Sequence, residues 1–255
     1  MSPPTVIPTT LGPMRRLHAP MWLSLLLAAC LGGCGRGEPG RDFFPLEAGH
    51  RWTYDVSSEW EGSPPERESL TLQALGEHSL EGFDGLDGRA WQRHGDSGVD
   101  YWHRCDETGI YRVASKSEAD PQPQPDAVRR YVLKAPFVVG TSWQASTTAY
   151  LLRRRNEFPP EIRHSHPAIP MTYTIEAVQQ KVQTAAGSHE GCLRVRGQAT
   201  VRLFADPVNG WQDLPLSTRE WYCPGVGLVR LERSEPASST FLVGGVMKME
   251  LVSWQ

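Results

Sequence analysis

None of the five cysteines stands in a C-x-x-C arrangement, so the sequence gives no support to a thioredoxin-like or zinc-ribbon reading. Positive charge is not in excess: 26 Lys and Arg face 29 Asp and Glu, a formal net charge of −3. That balance excludes the basic footprint of a nucleic-acid-binding protein, and no polybasic patch draws the chain onto an anionic bilayer. Nothing after residue 34 is long and apolar enough to cross a membrane as a helix. No stretch sustains the i, i+3, i+4, i+7 pattern that a helix packed on a core requires. These absences leave a mildly acidic chain built from strands.

The first third of a hundred residues is of another kind. Arg15 and Arg16 precede the apolar run Met21-Trp22-Leu23-Ser24-Leu25-Leu26-Leu27-Ala28-Ala29-Cys30, followed by the small residues Gly32 and Gly33. A basic start, a short apolar stretch and a small-residue exit describe a secretory signal too short to span a bilayer. Met1 to Pro13 holds four prolines and no positive charge, whereas Met14 opens directly onto Arg15 and Arg16 and makes the better start. The stretch Leu31-Gly32-Gly33-Cys34 resembles a bacterial lipobox, the motif of the lipoprotein signal-peptide family. The resemblance implies a signal peptide over residues 1–33, with Cys34 acylated on sulfur and, as the new N-terminus, on nitrogen. Residues 34–42 then form a lipidated tether, which extends at most about 25–30 Å. Gly35 follows the lipidated cysteine, with no aspartate in its place. In a Gram-negative cell the family's sorting rule then implies the outer membrane, facing the periplasm. Removal of the signal takes away Arg15 and Arg16 and no acid, so the mature chain carries −5.

Residues 43–255 read as an ectodomain of short strands. Trp52, Tyr54 and Val56 alternate with polar residues, as do Met171 to Val178 and Met247 to Leu251. Asp106-Glu107-Thr108-Gly109 reads as a hairpin turn. Two passages echo each other. Gly49-x-x-Trp52 corresponds to Gly140-x-x-Trp143. Tyr101-Trp102-His103-Arg104-Cys105 with its following turn corresponds to Glu220-Trp221-Tyr222-Cys223 with its own. The expectation is all-β: an antiparallel curved sheet, sandwich or partly open barrel, made from two duplicated halves at about 43–115 and 130–235. Phe-Pro-Leu-x-x-Gly-x-x-Trp-x-Tyr at residues 44–54 and Trp-Tyr-x-Pro-Gly-Val-Gly-Leu-Val at residues 221–229 also resemble a group of uncharacterised bacterial envelope lipoproteins and secreted proteins. That likeness carries fold and place, and no catalytic residue.

Cys105, Cys192 and Cys223 remain for an oxidising compartment. The expected pair is Cys192 with Cys223, although Cys105 and Cys223 hold matching places in the two halves and could meet instead. Gly95-Asp96-Ser97-Gly98 resembles the nucleophile segment of chymotrypsin-like proteases, but no histidine upstream has that family's context and a tight turn accounts for it. His164 and His166 project to one side if extended, a usable ligand pair, yet the prolines around them leave no third ligand of fixed position. No metal and no cofactor is expected. The candidate binding groups are Arg153, Arg154, Arg155, His164, His166 and Trp211, in what read as loops at Arg153 to Pro170 and Ala205 to Pro215. The function expected from this pattern is non-enzymatic binding or scaffolding by an envelope lipoprotein. Its partners are the membrane, through the acyl chains, and an envelope protein, glycan or lipid. The alternative is a lipid or small-ligand carrier with an apolar cavity inside the sheet, and behind it an unrecognised enzyme.

Replacing Cys34 by Ala is expected to abolish both acylation and cleavage after Gly33. Palmitate labelling would be lost and a precursor-sized band would appear. A variant that keeps the cleaved mass and still fractionates with membranes overturns the assignment.

Overall fold

Trp52, Tyr54 and Val56 are buried while Arg51, Asp55 and Glu59 between and around them are exposed, the two-residue period that turns a segment into a half-buried strand. The same rule shapes most of the chain. The computed structural model describes residues 41–255, Ser238 apart. The signal segment, Cys34 and nearly all of the tether therefore lie outside the described residues. The first strands are β1 (Arg51–Trp60), β2 (Glu66–Ser79), β3 (Arg89–Gly95), β4 (Val99–Asp106), β5 (Gly109–Lys116) and β6 (Gln124–Lys134). Then come β7 (Ser142–Thr147), the short β8 (Arg153–Arg154), β9 (Ile169–Thr184) and β10 (Gly187–Asp206). The last are β11 (Gly210–Cys223), β12 (Gly227–Glu235), the short β13 (Leu242–Val243) and β14 (Gly245–Trp254).

Twelve of these form one antiparallel sheet in the order β6-β5-β4-β3-β2-β1-β14-β12-β11-β10-β9-β7. The sheet curls into a barrel closed except for one seam, between β6 and β7. Trp143 bridges the seam, its Nε1 donating to the carbonyl of Tyr131 at 3.2 Å. β8 and β13 pair separately above it. With those two set aside, the sheet is two six-stranded meanders laid in the same order and joined where β1 meets β14. Their details correspond. Gly49 and Gly140 take φ of +100° and +94°, the left-handed turn that glycine adopts freely, just before Trp52 and Trp143. A bulge follows Trp102 in β4 and Trp221 in β11.

The lower end of the barrel is closed by the segment ahead of β1. Phe44 and Leu46 are buried among Ile110, Leu133, Trp143, Ile175, Val195 and Tyr222, side chains drawn from both meanders. Burying two such side chains contributes roughly 3–6 kcal/mol. Arg93 on β3 fixes this plug. Its Nη2 donates to the Pro45 carbonyl at 2.6 Å, and its guanidinium lies 3.6 Å over the Phe44 ring and 4.3 Å over that of Trp52. From the other meander, Val226 accepts from Trp52 Nε1 at 2.6 Å and the Gly225 N–H donates to the Asp42 carbonyl at 2.6 Å.

At the upper end, Glu235 is fully buried and takes three successive backbone N–H groups, from Tyr150, Leu151 and Leu152, at 3.1, 2.7 and 3.1 Å. Arg233 neutralises it at 2.5 Å and reaches on to the Thr148 carbonyl at 2.6 Å. The segment after β7 is thereby clamped over β9, β10 and β11, and Leu152, Ile162 and Ile169 pack on Met171, Val201 and Leu203. The stretch Arg153 to Pro170 is thus a loop held down at Ile162 and Ile169, with residues 155–159 exposed. Ala205 to Pro215 is not a loop: β10 runs to Asp206 and β11 begins at Gly210, with Trp211 inside the strand. Leu214 and Leu216 are buried on alternate positions. Pro215 is tolerated because β12 pairs only from Ser217 onward, which leaves that side of β11 without a ladder to break.

The tip of the β9–β10 hairpin folds against the last strands. Arg230 donates to the Gln183 carbonyl at 2.6 Å, and Ala186 N–H to the Leu251 carbonyl at 3.3 Å. A disulfide between Cys192 and Cys223 pins it there. Cys105 lies elsewhere, buried beneath the plug. With a sequence separation of 31, the disulfide contributes about 3–4 kcal/mol in the chain-entropy model. The Cys192→Ser/Cys223→Ser variant is expected to lose that much unfolding free energy in urea titration, and non-reducing peptide maps of the parent to join the two cysteine peptides. An unchanged urea midpoint, or a Cys105 peptide in the cross-link, contradicts this.

Candidate functional site

Between the plug and the upper cover the barrel encloses a lumen. Its two lobes, about 710 and 390 Å³, share Arg130, Tyr150, Tyr173 and Glu220 as wall residues. The volumes fall within the range of small-molecule sites. Alternation along each strand determines which side chains enter. On β11, Leu214, Leu216, Thr218, Glu220 and Tyr222 share one face, so the acid at residue 220 points inward with the apolar residues below and above it. On β10 the same parity brings Gly197 inward. A Cβ there would stand 2.9 Å from the Tyr173 ring and 2.5 Å from the Thr218 methyl, so glycine is what lets Tyr173 lie across the strand.

The two sides of the lumen differ in chemistry. Val56, Met249 and Leu231 form a row across β1, β14 and β12, in direct register, and Leu70 on β2 extends it. The opposite side, by the seam, carries Arg112 and Arg130, which face each other across β5 and β6. Two adjacent cations repel unless one is neutralised. Asp126 does this for Arg112 with two hydrogen bonds of 2.6 and 2.5 Å. No carboxylate of the described residues pairs with Arg130. Glu220 accepts from the Tyr222 hydroxyl at 2.6 Å and from Thr218 at 3.3 Å. Its remaining surface faces the cavity, and burial pushes its carboxyl above the usual range, with the two hydrogen bonds and the arginines only partly opposing. His103 lines the lower lobe with Nδ1 buried and without a partner. Burial, aided by Arg93 and Arg112, holds its imidazole well below the ordinary value, hence neutral.

The lumen is therefore amphipathic rather than apolar. On the outside of the same wall, Asp55, Glu59, Glu232 and Glu250 alternate with Arg67, Arg219 and Lys248 along a groove of about 680 Å³. Charges of both signs offset one another there, as on a solvated face.

The residues singled out in the sequence lie elsewhere. Arg153 rests 4.1 Å over the Trp60 ring. Arg154 donates to the Phe204 carbonyl at 2.9 Å and pairs with Glu157 at 3.2 Å, and Arg155 is exposed. The three arginines and Trp60 line a shallow hollow of about 320 Å³ that His164, His166 and Trp211 do not enter. His164 faces Glu161 at 3.5 Å, and His166 meets Ser165 at 2.9 Å. Trp211 is 61% exposed, edge-on to Phe204. Ser97 sits in the β3–β4 turn at the mouth of the lumen, closed by Gly98 N–H to the Gly95 carbonyl at 2.9 Å. No group of three or more His, Cys, Asp or Glu is placed to hold a metal among the described residues. Arg130, Glu220, Tyr150, Tyr173 and His103 were missed by the sequence reading. The signal for Glu220 was present, a carboxylate on the apolar face of an alternating strand.

No family model matches the chain, and no curated protein matches it. Among solved structures, it is similar to a presumed lipoprotein of Parabacteroides distasonis, with 12% identity, a TM-score of 0.37, and coverage of 84% of this chain and 98% of that one. It is similar also to a presumed exported protein with a YmcC-like fold from Bacteroides fragilis, with 13% identity, a TM-score of 0.37 and the same coverages.

Because the folded carboxyl of Glu220 holds its proton more tightly than an unfolded one near 4.5, its contribution favours the folded state at low pH and is lost as pH rises through the raised value. Relative to the Glu220→Gln variant, the parent should therefore lose urea stability between pH 4 and pH 8. A flat or opposite difference between the two would show that the carboxyl is solvated.

Proposed function

We propose that the chain is a lipid-anchored protein of the bacterial envelope that acts by binding, and that its ligand occupies the barrel lumen rather than the surface around Arg153 and Trp211. The anchoring half of this reading is supported by the lipobox at residues 31–34, the short tether after it and the outer-membrane sorting expected from Gly35. The binding half is carried by one observation: the lumen wall holds an arginine, Arg130, with no carboxylate partner, beside a cavity large enough for a small molecule. A half-buried guanidinium facing a cavity is a ready partner for an anionic group. The buried His103 Nδ1 is a second group left for a ligand or ordered water to satisfy. The same reading takes the two six-stranded meanders as copies of one ancestral unit, supported by their shared strand order, glycine turns and bulges.

Anchored at its plugged end, such a protein presents the lumen mouth, at Glu68, Asp96 and Ser97, away from the membrane that holds it. Native mass spectrometry of the full-length protein released in detergent is the test. A bound small molecule is expected on the parent and on a variant with Arg155, His164, His166 and Trp211 all changed to Ala. It should be absent from a folded Leu70→Trp variant, which fills the lumen. Loss of the adduct from the surface variant, or its persistence in Leu70→Trp, counts against the lumen.

A further inference from the structure

Taking the lumen as the binding site, we propose that its ligand is an amphipathic anion, a single acyl chain with a carboxylate or phosphate head, the head on Arg130 and the chain along Val56, Leu70, Leu231 and Met249. The topology sets these two features across from each other. In a twelve-stranded barrel with its seam between β6 and β7, the junction of β1 and β14 is the most distant point of the wall. Arg130 stands at the seam, and Val56 pairs with Met249 at that junction. One wall is thus aliphatic over four consecutive strands, β2, β1, β14 and β12, and the far wall bears the charge. Methionine adapts to chains of varying shape, so Met249 and the neighbouring Met247 suit a flexible tail better than a rigid ring.

The sign of the head group follows from the charges deep in the lumen. Arg112 is neutralised by Asp126 and Arg233 by Glu235. Of the other lining carboxylates, Glu68 and Asp96 are exposed at the mouth, where Asp96 accepts from the Thr71 N–H, and Asp120 accepts from Ser117. Arg130 is the lining cation with no ion-pair partner among the described residues. Glu220 does not cancel it. Its two oxygens already accept from Tyr222 and Thr218 and it makes no ion pair with Arg130, while burial raises its carboxyl above the usual range against the pull of those hydrogen bonds and arginines. A guanidinium matches a carboxylate or phosphate with paired N–H donors. Burial of the chain supplies the larger part of the affinity. Arg130 selects the head.

The test is photolabelling of the full-length protein in nanodiscs. The probe is a dodecyl chain bearing a mid-chain diazirine, offered as the carboxylate, the phosphate monoester, the alcohol and the primary amine. The carboxylate or the phosphate should label peptides containing Leu70, Leu231 or Met249 at least tenfold more than the alcohol or amine. Whichever of the two labels better tells a free fatty acid from a lipid phosphate. Arg130→Gln should lower that labelling about tenfold and Arg130→Lys much less, both with unchanged thermal melts, since Arg130 is not part of an ion pair. Equal labelling by the alcohol, or full labelling of Arg130→Gln by the acid, overturns the anion while leaving lumen binding intact. No lumen labelling by any probe, with labelled surface peptides instead, overturns both.

Discussion

A buried cation without a carboxylate partner organises the lower half of this protein. Arg93 is 6% exposed and solvates its charge with the Pro45 carbonyl and the faces of Phe44 and Trp52. Burial pulls its guanidinium down to about 10, with Tyr54 and Tyr222 opposing, so it stays charged at neutral pH. Desolvated cation–π contacts are worth about 2 kcal/mol, well short of the cost of an uncompensated buried ion. The carbonyl and both rings are therefore required together, and two of these three come from residues 44 and 45. If the plug leaves, Arg93 faces an apolar cavity. This ties the segment ahead of β1 to the barrel more firmly than its own apolar area would, and gives the lumen a floor.

Above that floor, charge is handled differently at each level. Arg233 and Glu235 satisfy each other and three backbone N–H groups, a fully connected network that holds the upper cover. Arg112 and Asp126 close on each other at the seam. Arg130, Glu220 and His103 line the cavity between these settled pairs. Arg130 has no ion-pair partner among the described residues, Glu220 is held by Tyr222 and Thr218 rather than by an arginine, and His103 Nδ1 is buried without a hydrogen bond.

Strand content was legible because alternation is local: Trp52, Tyr54 and Val56 announce β1, and Asp106 to Gly109 announces a hairpin. The all-β barrel followed from such patterns. The supposed loop at Ala205 to Pro215 was misread because Asp206-Pro207-Val208-Asn209-Gly210 is dense in turn residues and Pro215 reads as a breaker. The paired strand beyond them depends on β10 for its ladder. The plug was opaque for another reason. Phe43-Phe44-Pro45-Leu46 has no period, and its burial depends on Ile110, Leu133, Trp143 and Val195, all distant in sequence. The lumen site was hidden most deeply. Arg130 and Glu220 belong to different meanders, and nothing local reports that closing the barrel sets both beside one cavity. Arg153, Arg154 and Arg155 stood out because they are contiguous, and the structure gathers them with Trp60 around one shallow hollow apart from the lumen.

The pairing of β1 with β14 joins the first strand of the sheet to its last. Neither meander can be joined to the other until β14 has emerged, and the plug has no complete pocket before Val195 and Tyr222 are in place. Contacts of such long sequence separation form late and slowly. No stable barrel can form while this strand is still missing. The architecture that encloses the lumen thus also keeps the chain pliable until β14 has been made.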